Sequence, residues 1–503
     1  MQAAGQGIGL IADDLTGACD ASLPFFRCGA RVALQACDGE KNTPLLCDEW
    51  AWNSNEAQLL AINIASRHAA VESLEETMAL AVGRLKNYGL ERVYLKIDST
   101  LRGPVGAFCW AAAQALQADL VVIAPALPNS QRQTVGGYQL VAGEPVERSS
   151  AGRDSRTPVS QSHVPTLLVE TLPEALKLKA SDLIGHVPLS VVIRGAAPIL
   201  AALQAAAKEG KRLVVVDATS DIDLEQLALA LEKASLKLTV VPCGSAGLAN
   251  VLAPRWVAVD EDIADNTAKA ANGFLHGSRC IGVMGSNTTL SHEQLEALQS
   301  LEGVVRLPLS PEMILGLEPL DALLEHIQTA WEQERIPVVT TAWPQGVVTH
   351  TLALATEHQL SPQAVYYRLN HTLSQLAKTV TDHHGMLQTS DNPVPLTWWA
   401  SGGDTAEAIA AGIQLSGNQP SLLAWQLVKE TRTGFPVLAS QVSGFAPQGA
   451  EPVLPVRLIT RSGNYGISTT LHAFLSRWLL EASSEVQTIL GCSLPKQNTL
   501  TKA

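Results

Sequence analysis

Aromatic residues are scarce in this 503-residue chain, at 5%, and nowhere does a block of lysines or arginines interrupt a formal net charge of −13. A protein that grips nucleic acid regardless of sequence needs a basic face, so that class is disfavoured. A nucleotide or an acid substrate is held by local groups, and acidity excludes neither. No apolar stretch reaches the ~20 residues that a membrane-spanning helix requires. The opening MQAAGQGIGLIADD lacks a basic region and a sustained apolar run, so no signal peptide is expected. Eight cysteines occur without any C-x-x-C, and Cys19, Cys28, Cys37 and Cys47 stand nine, nine and ten apart, which matches no zinc template. They read as small core residues in a reducing compartment. No P-loop pattern G-x-x-x-x-G-K-[ST] occurs, and Gly5, Gly7 and Gly9 precede the first strand, where a dinucleotide fingerprint would follow it. No residue stands out as a metal ligand, and no internal repeat is visible. What remains is a cytoplasmic protein with neither a nucleic-acid nor a membrane partner; self-association to a homo-oligomer stays open.

The composition is 46% hydrophobic and 17% charged, and its richness in Ala, Leu, Val and Gly suits an α/β enzyme with real cores. The length exceeds one ordinary domain and predicts two or three. Runs with strand character at 8–13, 31–35, 59–64, 92–97 and 119–125 alternate with helical periodicity at 16–27, 71–87 and 105–117. From 129 to 163 the chain turns polar and rich in Gly, Ser, Arg and Pro, with a hairpin expected around Gly143; this reads as a lid or an exposed loop. The alternation resumes with a strand at 191–194, a helix at 197–209 and a strand at 212–217. Residues 254–279 lose periodicity and read as a linker between an N-terminal domain, 7–253, and a second α/β domain, 280–482. The stretch 415–453 reads as loops with a two-stranded piece, and 483–503 as a frayed tail. The expected fold class is α/β, with two domains, each a mostly parallel sheet flanked by helices, and a ligand cleft between them.

Ligands of open α/β sheets sit at the carboxyl ends of strands, and several strand-to-helix junctions here carry chemistry. KIDSTLRG crowds Lys96, Asp98, Ser99, Thr100 and Arg102 onto one turn; a capped helix needs one such side chain, not five. IADDLTGACDA puts Asp13 and Asp14 at the end of the first strand, suited to binding a hydroxyl or to acting as a general base, with simple helix capping the bland alternative for Asp14. In the second half, VMGSNTTLSHEQL and WWASGGDTAEAIAAG each set a glycine turn between a strand and a helix. Ser286 lies in the first; Ser401, Gly402, Gly403, Asp404 and Thr405 make the second. A further turn, TRSGNYG, carries Arg461, Ser462, Gly463 and Gly466. Glycine lets a phosphate approach the backbone and a helix N-terminus offers free N–H groups, so this set of turns favours a nucleotide site. His383 and His384 read as solvent-facing at a helix end, and Trp398 and Trp399 as core beside the glycine turn.

ADDLTGA-x-D, KIDSTLRG, APALPNSQRQTVGGYQLVAGEPV, SGGDTA and a late [KR]-S-G-x-[FY]-G, in this order, resemble the four-carbon acid sugar kinases over about residues 7–480. The resemblance implies an N-terminal acid-sugar domain and a C-terminal nucleotide domain. It implies ATP-dependent phosphorylation of the 4-hydroxyl of threonate, erythronate or 3-oxo-tetronate, with Mg²⁺ bridging the phosphates. Substrate contacts would fall on Asp13 or Asp14, Arg67, Lys96, Asp98 and Ser99, where Arg67 suits a bidentate grip on a carboxylate. ATP contacts would fall on Ser286, Gly402 to Thr405 and Gly463, with Ser401 beside them. Ile64 and Ala65 where relatives commonly carry an acid, Pro104 and Phe108 after LRG, and Arg461 for a usual Lys depart from the pattern and bear on substrate preference. For the transfer, Asp98 is the first candidate to accept the hydroxyl proton and Asp14 the second, with Lys96 and Arg102 balancing charge. The cleft is expected to close on binding. The competing readings are a sugar-acid dehydrogenase or isomerase and a non-catalytic sugar-acid-binding protein.

Overall fold

The computed structural model describes residues 7–35, 58–154, 156–257, 278–286, 288–344, 346–386, 394–415, 424–430, 436–440, 456–461 and 468–482. The first strand, Ile8–Ala12, is an uninterrupted apolar run buried along its whole length, as a parallel strand covered on both faces must be. It pairs with Leu59–Asn63 on one side and Arg92–Lys96 on the other, which sets Ala12 level with Asn63 and Lys96. Helix Leu15–Arg27 starts directly after it because Asp14 keeps an extended backbone and its carboxylate accepts from Gly17 N at 2.7 Å, a cap worth about 1 kcal/mol. This half of the sheet is parallel throughout, in the order Ile184–Val187, Leu213–Val216, Leu120–Ala124, Val240–Gly244, Arg92–Lys96, Ile8–Ala12, Leu59–Asn63 and Val32–Gln35. The second half has its own parallel run: Val304–Pro308, Ile336–Thr340, Arg279–Met284, Leu396–Ser401 and Val456–Arg461. Trp398 and Trp399, successive residues of one strand, face opposite sides of it, and both are fully buried.

The two halves share a sheet. Strands Pro436–Ser440 and Ala424–Glu430 continue the second half antiparallel, and Ala424–Glu430 then pairs antiparallel with Val32–Gln35, giving one fifteen-stranded sheet. The two-stranded piece expected within 415–453 is therefore present, and it fastens the halves edge to edge. Its partner could not be read from the sequence, because pairing Trp425 with Leu34 leaves no local periodicity.

Three local expectations are corrected. Residues 191–194 are not a strand: the edge strand is Ile184–Val187, mostly half-buried and carrying Gly185 and His186, while Leu189–Val192 forms a helical turn. Helix Ala246–Trp256 runs through Pro254, so that proline does not open the linker. His384 is buried on helix Pro362–Met386, with Nε2 2.8 Å from the carbonyl of Val394. Cys37, Cys47, Gly463, residues 258–277 and the tail 483–503 lie outside the described residues. Among the described residues no helix is long and apolar enough to cross a membrane.

The polar stretch 129–163 builds a small antiparallel sheet, Arg132–Val135, Tyr138–Val141 and Glu144–Pro145, with left-handed turns at Gly136, Gly137 and, as expected, Gly143. Asp217, fully buried, anchors it: its carboxylate accepts from the backbone N–H of Gly136 (2.6 Å), Gly137 (2.9 Å) and Leu189 (2.9 Å), and lies 2.9 Å from His186 Nε2. Gln139 in turn donates Nε2 to the Ser99 carbonyl at 2.7 Å, so the small sheet steadies the KIDSTLRG turn. Asp217→Ala strands these donors at about 1–3 kcal/mol for each buried group left unpaired. The variant should melt several degrees lower and be cut within 129–163 by limited proteolysis; a wild-type digestion pattern would contradict the anchoring role.

Candidate active site

Strand Leu59–Asn63 ends in Asn63, whose Oδ1 accepts from Ala65 N at 2.9 Å, and Ala65 takes φ +45°, a left-handed backbone uncommon for a residue with a side chain. That bend turns Arg67 back over the first strand. Arg67 N donates to the Asp13 carbonyl at 3.2 Å. Its guanidinium spans both carboxylates: Nε and Nη2 donate to Asp13 Oδ2 at 3.2 and 2.9 Å, and Nη1 to Asp14 Oδ2 at 2.6 Å. All three residues are buried. Burial pushes the Asp13 carboxyl up, aided by the charge of Asp14 and only partly offset by Arg67 and Lys96. Asp14 goes the other way: against the cost of burial, Arg67, Lys96 and hydrogen bonds from Thr16 and Gly17 hold it below the usual range. Asp13 Oδ1 is buried without a hydrogen-bond partner. A Cβ built on Gly17 would meet Asp14 Oδ1 at 2.5 Å, Lys96 Nζ at 2.8 Å and Asp13 Oδ1 at 3.2 Å, so the three groups converge over a position that only glycine leaves open.

The KIDSTLRG turn closes the other side. Leu101 at φ +63° and Gly103 at φ +91° swing Arg102 back onto Asp98, with Nε 2.7 Å from Oδ2; the same oxygen accepts from Thr100 Oγ1 at 2.5 Å. Gly103 is required twice over, by its left-handed backbone and because a Cβ there would stand 2.8 Å from the Arg67 carbonyl. Arg102 Nη1 reaches Asp154 Oδ2 at 3.4 Å. Against the cost of burial, Arg102 and Arg67 hold Asp98 well below the ordinary carboxylate range. Lys96 Nζ donates to the Ile97 carbonyl at 2.9 Å. Ser99 meets the small sheet through its own carbonyl.

The SGGDTA turn of the second half arrives against this cluster. Helix Gly403–Leu415 begins so close to it that a Cβ on Gly403 would stand 2.5 Å from Asp14 Oδ2 and 3.5 Å from Arg67 Nη1. Gly402, at φ +108°, makes the turn, and Ser286 N lies 3.8 Å from where its Cβ would be. Thr405 Oγ1 fills the space a side chain on Gly285 would need. Ser286, Gly402, Gly403 and Thr405 therefore form one lip. Ser401 does not join it: it is fully buried in its strand, and its hydroxyl accepts from Arg461 Nε at 3.0 Å. Asp404 Oδ1 stands 3.1 Å from His68 Nε2 and 3.6 Å from Arg156 Nη1; despite burial, these neighbours hold it well below the usual carboxylate range. Glu407, further along the helix, accepts from Leu15 N and Asn63 Nδ2, both at 3.1 Å. Burial, with the charges of Asp404 and Asp14, pushes it up to about 8.

Sequence reasoning thus named Asp13, Asp14, Arg67, Lys96, Asp98, Ser99 and Arg102, and these share one end of the first half's sheet, facing the glycine lip. It missed His68, Arg156 and Glu407. Glu407 carried a signal, since it follows Asp404 by three residues and so shares a helix face with it. Arg156 lies in the polar stretch expected to be a lid. His68 carried none. Asp20, on the first helix, is pushed up to about 7 by burial, against the pull of Lys96. Among the described residues no group of three or more His, Cys, Asp or Glu could hold a metal with protein ligands alone.

Known proteins resemble the chain along most of its length. Residues 8–252 match the family described as a sugar-binding N-terminal domain, and residues 281–471 the family described as a nucleotide-binding C-terminal domain. The chain is 30% identical over 468 residues to the D-threonate kinase of Bordetella bronchiseptica, covering 92% of this chain and 95% of that one. It is 28% identical over 417 residues to the D-erythronate kinase of Heliobacterium modesticaldum, covering 81% and 86%. A crystal structure from Salmonella typhimurium LT2, described as a putative tRNA synthase, superposes with a TM-score of 0.66 over 95% of this chain and 99% of that one; at 21% identity this likeness speaks for the fold alone. Two domain matches in the right order, and a relative of that identity along nearly its whole length, lead to one conclusion: the chain belongs to the four-carbon acid sugar kinase family.

Proposed function

We propose that this chain transfers the γ-phosphoryl group of ATP to the 4-hydroxyl of a four-carbon acid sugar (threonate, erythronate or 3-oxo-tetronate) in the cytoplasm. One observation carries the reading: Gly403 abuts Asp14 and Arg67, so a helix N-terminus suited to phosphate faces carboxylates suited to a sugar hydroxyl. A sugar-acid sensor needs no such lip, and a dehydrogenase or isomerase would call for a dinucleotide fingerprint after the first strand or a cluster of metal ligands, which the sequence does not display. Within this reading 7–253 takes the acid sugar, 254–279 links, 280–482 takes the nucleotide and 483–503 is a tail.

Phosphoryl transfer is chiefly positioning and charge stabilisation. Backbone N–H groups at Ser286 and Gly403 would face the phosphates, while that of Gly402 is taken by the Arg461 carbonyl at 3.0 Å. Asp13 accepts the hydroxyl proton, because its Oδ1 is buried and unpartnered and its pKa is raised. Asp98, locked by Arg102 and Thr100 and held acidic, orients its turn instead. Asp14 is spent on Arg67, Thr16 and the helix cap, and Arg67 on the two carboxylates rather than on a ligand. Lys96 Nζ, which like Asp13 Oδ1 borders the bare Cα of Gly17, balances charge as the hydroxyl loses its proton. Asp404 supplies an ionised carboxylate at the lip, which fits Mg²⁺, a cation that takes one or two carboxylates and leaves the rest of its shell to phosphates and water. When bound, Mg²⁺ neutralises charge on the phosphates.

A coupled ADP-release assay with Mg·ATP and stereoisomers of the three acids tests the reading: turnover with one of them is expected, and no turnover together with no ATP binding contradicts it. Asp13→Asn should cut kcat by about 10²-fold or more with ATP binding kept, whereas Asp98→Asn should act mainly on KM for the acid. The opposite pattern would give the proton to Asp98. Glu407 adds a pH dependence. Its folded pKa of about 8 lies above its unfolded value, so the stability it lends is complete below that unfolded value and is lost as pH rises through about 8. The melting temperature should fall over this range, and Glu407→Gln should flatten the fall; an unchanged slope would show that Glu407 does not titrate there.

A further inference from the structure

Arg156 stands on the first half but meets the second. Asp154 Oδ1 accepts the backbone N–H of Arg156 and Thr157 at 3.0 and 2.9 Å, while its Oδ2 receives Arg102 Nη1 at 3.4 Å. Through Asp154, the turn that carries Arg156 is tied to the KIDSTLRG turn. Its guanidinium lies 3.3 Å from the centre of the Tyr366 ring, on helix Pro362–Met386 of the second half, a stack that fixes the plane of the fork. Arg156 Nη1 is 3.6 Å from Asp404 Oδ1, beyond hydrogen-bond length, and is buried without a hydrogen-bond partner. His68 Nε2 holds the same oxygen at 3.1 Å. Two groups of the first half therefore close on one point at the start of helix Gly403–Leu415, where the helix also offers its unsatisfied N–H groups. A buried guanidinium donor is stabilised by an anion at bonding distance. The carboxylate of Asp404 does not reach that distance; a phosphoryl oxygen at the helix N-terminus would.

We infer that Arg156 is a catalytic residue, a guanidinium carried by the acid-sugar half that engages the transferring phosphoryl group where the halves meet. The inference rests on the phosphotransfer reading and deepens it. The bond between the γ-phosphorus and its bridging oxygen breaks as the bond to the sugar 4-oxygen forms. The hydroxyl proton passes to Asp13, ADP leaves with the electron pair, and Arg156 stays protonated while it neutralises the phosphoryl oxygens. Because this cation arrives from the half that holds the acid sugar, ATP on the second half alone lacks it.

Arg156→Gln should lower kcat about 10³-fold at saturating substrates, in the range seen for arginines that contact a transferring phosphoryl group. KM for ATP and for the acid should move only a few-fold, and free guanidinium in the buffer should restore part of the rate. Arg156→Lys, which keeps the charge but not the fork, should fall between, and serves as the probe if the Gln variant does not fold. A variant with wild-type kcat and raised KM values would make Arg156 a clamp between the halves and overturn the inference, as would a slow variant with a lowered melting temperature and no rescue. Wild-type turnover is the control. Its absence with every acid, together with no ATP binding, overturns the phosphotransfer reading itself, whereas wild-type turnover indifferent to residue 156 overturns this step alone.

Discussion

One guanidinium sets the geometry of the site. Arg67 places three nitrogens on two adjacent buried carboxylates, Asp13 and Asp14, and its charge opposes the cost of burying both at the end of a strand. Removing one partner of a buried ion pair costs about 3–5 kcal/mol, so the surrounding chain is built to hold this one. Ala65 takes a left-handed backbone to aim it, Gly103 gives up a side chain to let its carbonyl pass, and Gly17 does the same for the carboxylates and Lys96. The sharing is uneven. Asp14 gains the shorter contact, the helix cap and Thr16 as well, while Asp13 keeps one oxygen unpartnered. Two neighbouring carboxylates whose surroundings drive their proton affinities apart can divide the roles of anchor and base between them.

The second half meets that centre in two physically different ways. At the sheet edge Ala424–Glu430 and Val32–Gln35 are joined by main-chain pairing. At the site the halves touch through a few side chains: Asp404 with His68 and Arg156, Glu407 with Leu15 N and Asn63, and the bare Cα of Gly403 against Asp14. Contacts of the second kind are individually weak and respond to charge, which suits a seam that must admit and release anions. Glu407, held neutral by burial, can sit beside Asp404 and Asp14 without adding a third negative charge.

Much of this was legible in the sequence because the signals are local. Apolar strands ending in Asp13–Asp14 and Lys96–Arg102 are short runs broken by chemistry, and the SGGD turn is punctuated by two glycines ahead of a helix. What was hidden is non-local. The pairing of Trp425 with Leu34 and the meeting of Arg156 with Tyr366 join residues far apart in the chain, and a single sequence without partners cannot reveal them. Arg67 suits a bidentate grip on a carboxylate, and the sequence did not show that Asp13 and Asp14 lie within its reach; nor did it show that the Ser401 hydroxyl serves Arg461 inside the sheet. His384 looked exposed because helix ends usually are; here Val394 closes over it. In each case composition named the chemistry, and packing decided which partner used it.

The glycine lip meets the Asp14–Arg67 pair at the bare Cα of Gly403, and Gly403→Ala probes that contact. Alanine suits the first turn of a helix, yet its Cβ would stand 2.5 Å from Asp14 Oδ2. With Mg·ATP and the preferred acid, the variant should fold and still bind nucleotide but turn over about 10²-fold more slowly, the loss expected from an ångström of misplacement. Turnover within twofold of wild type would contradict this expectation.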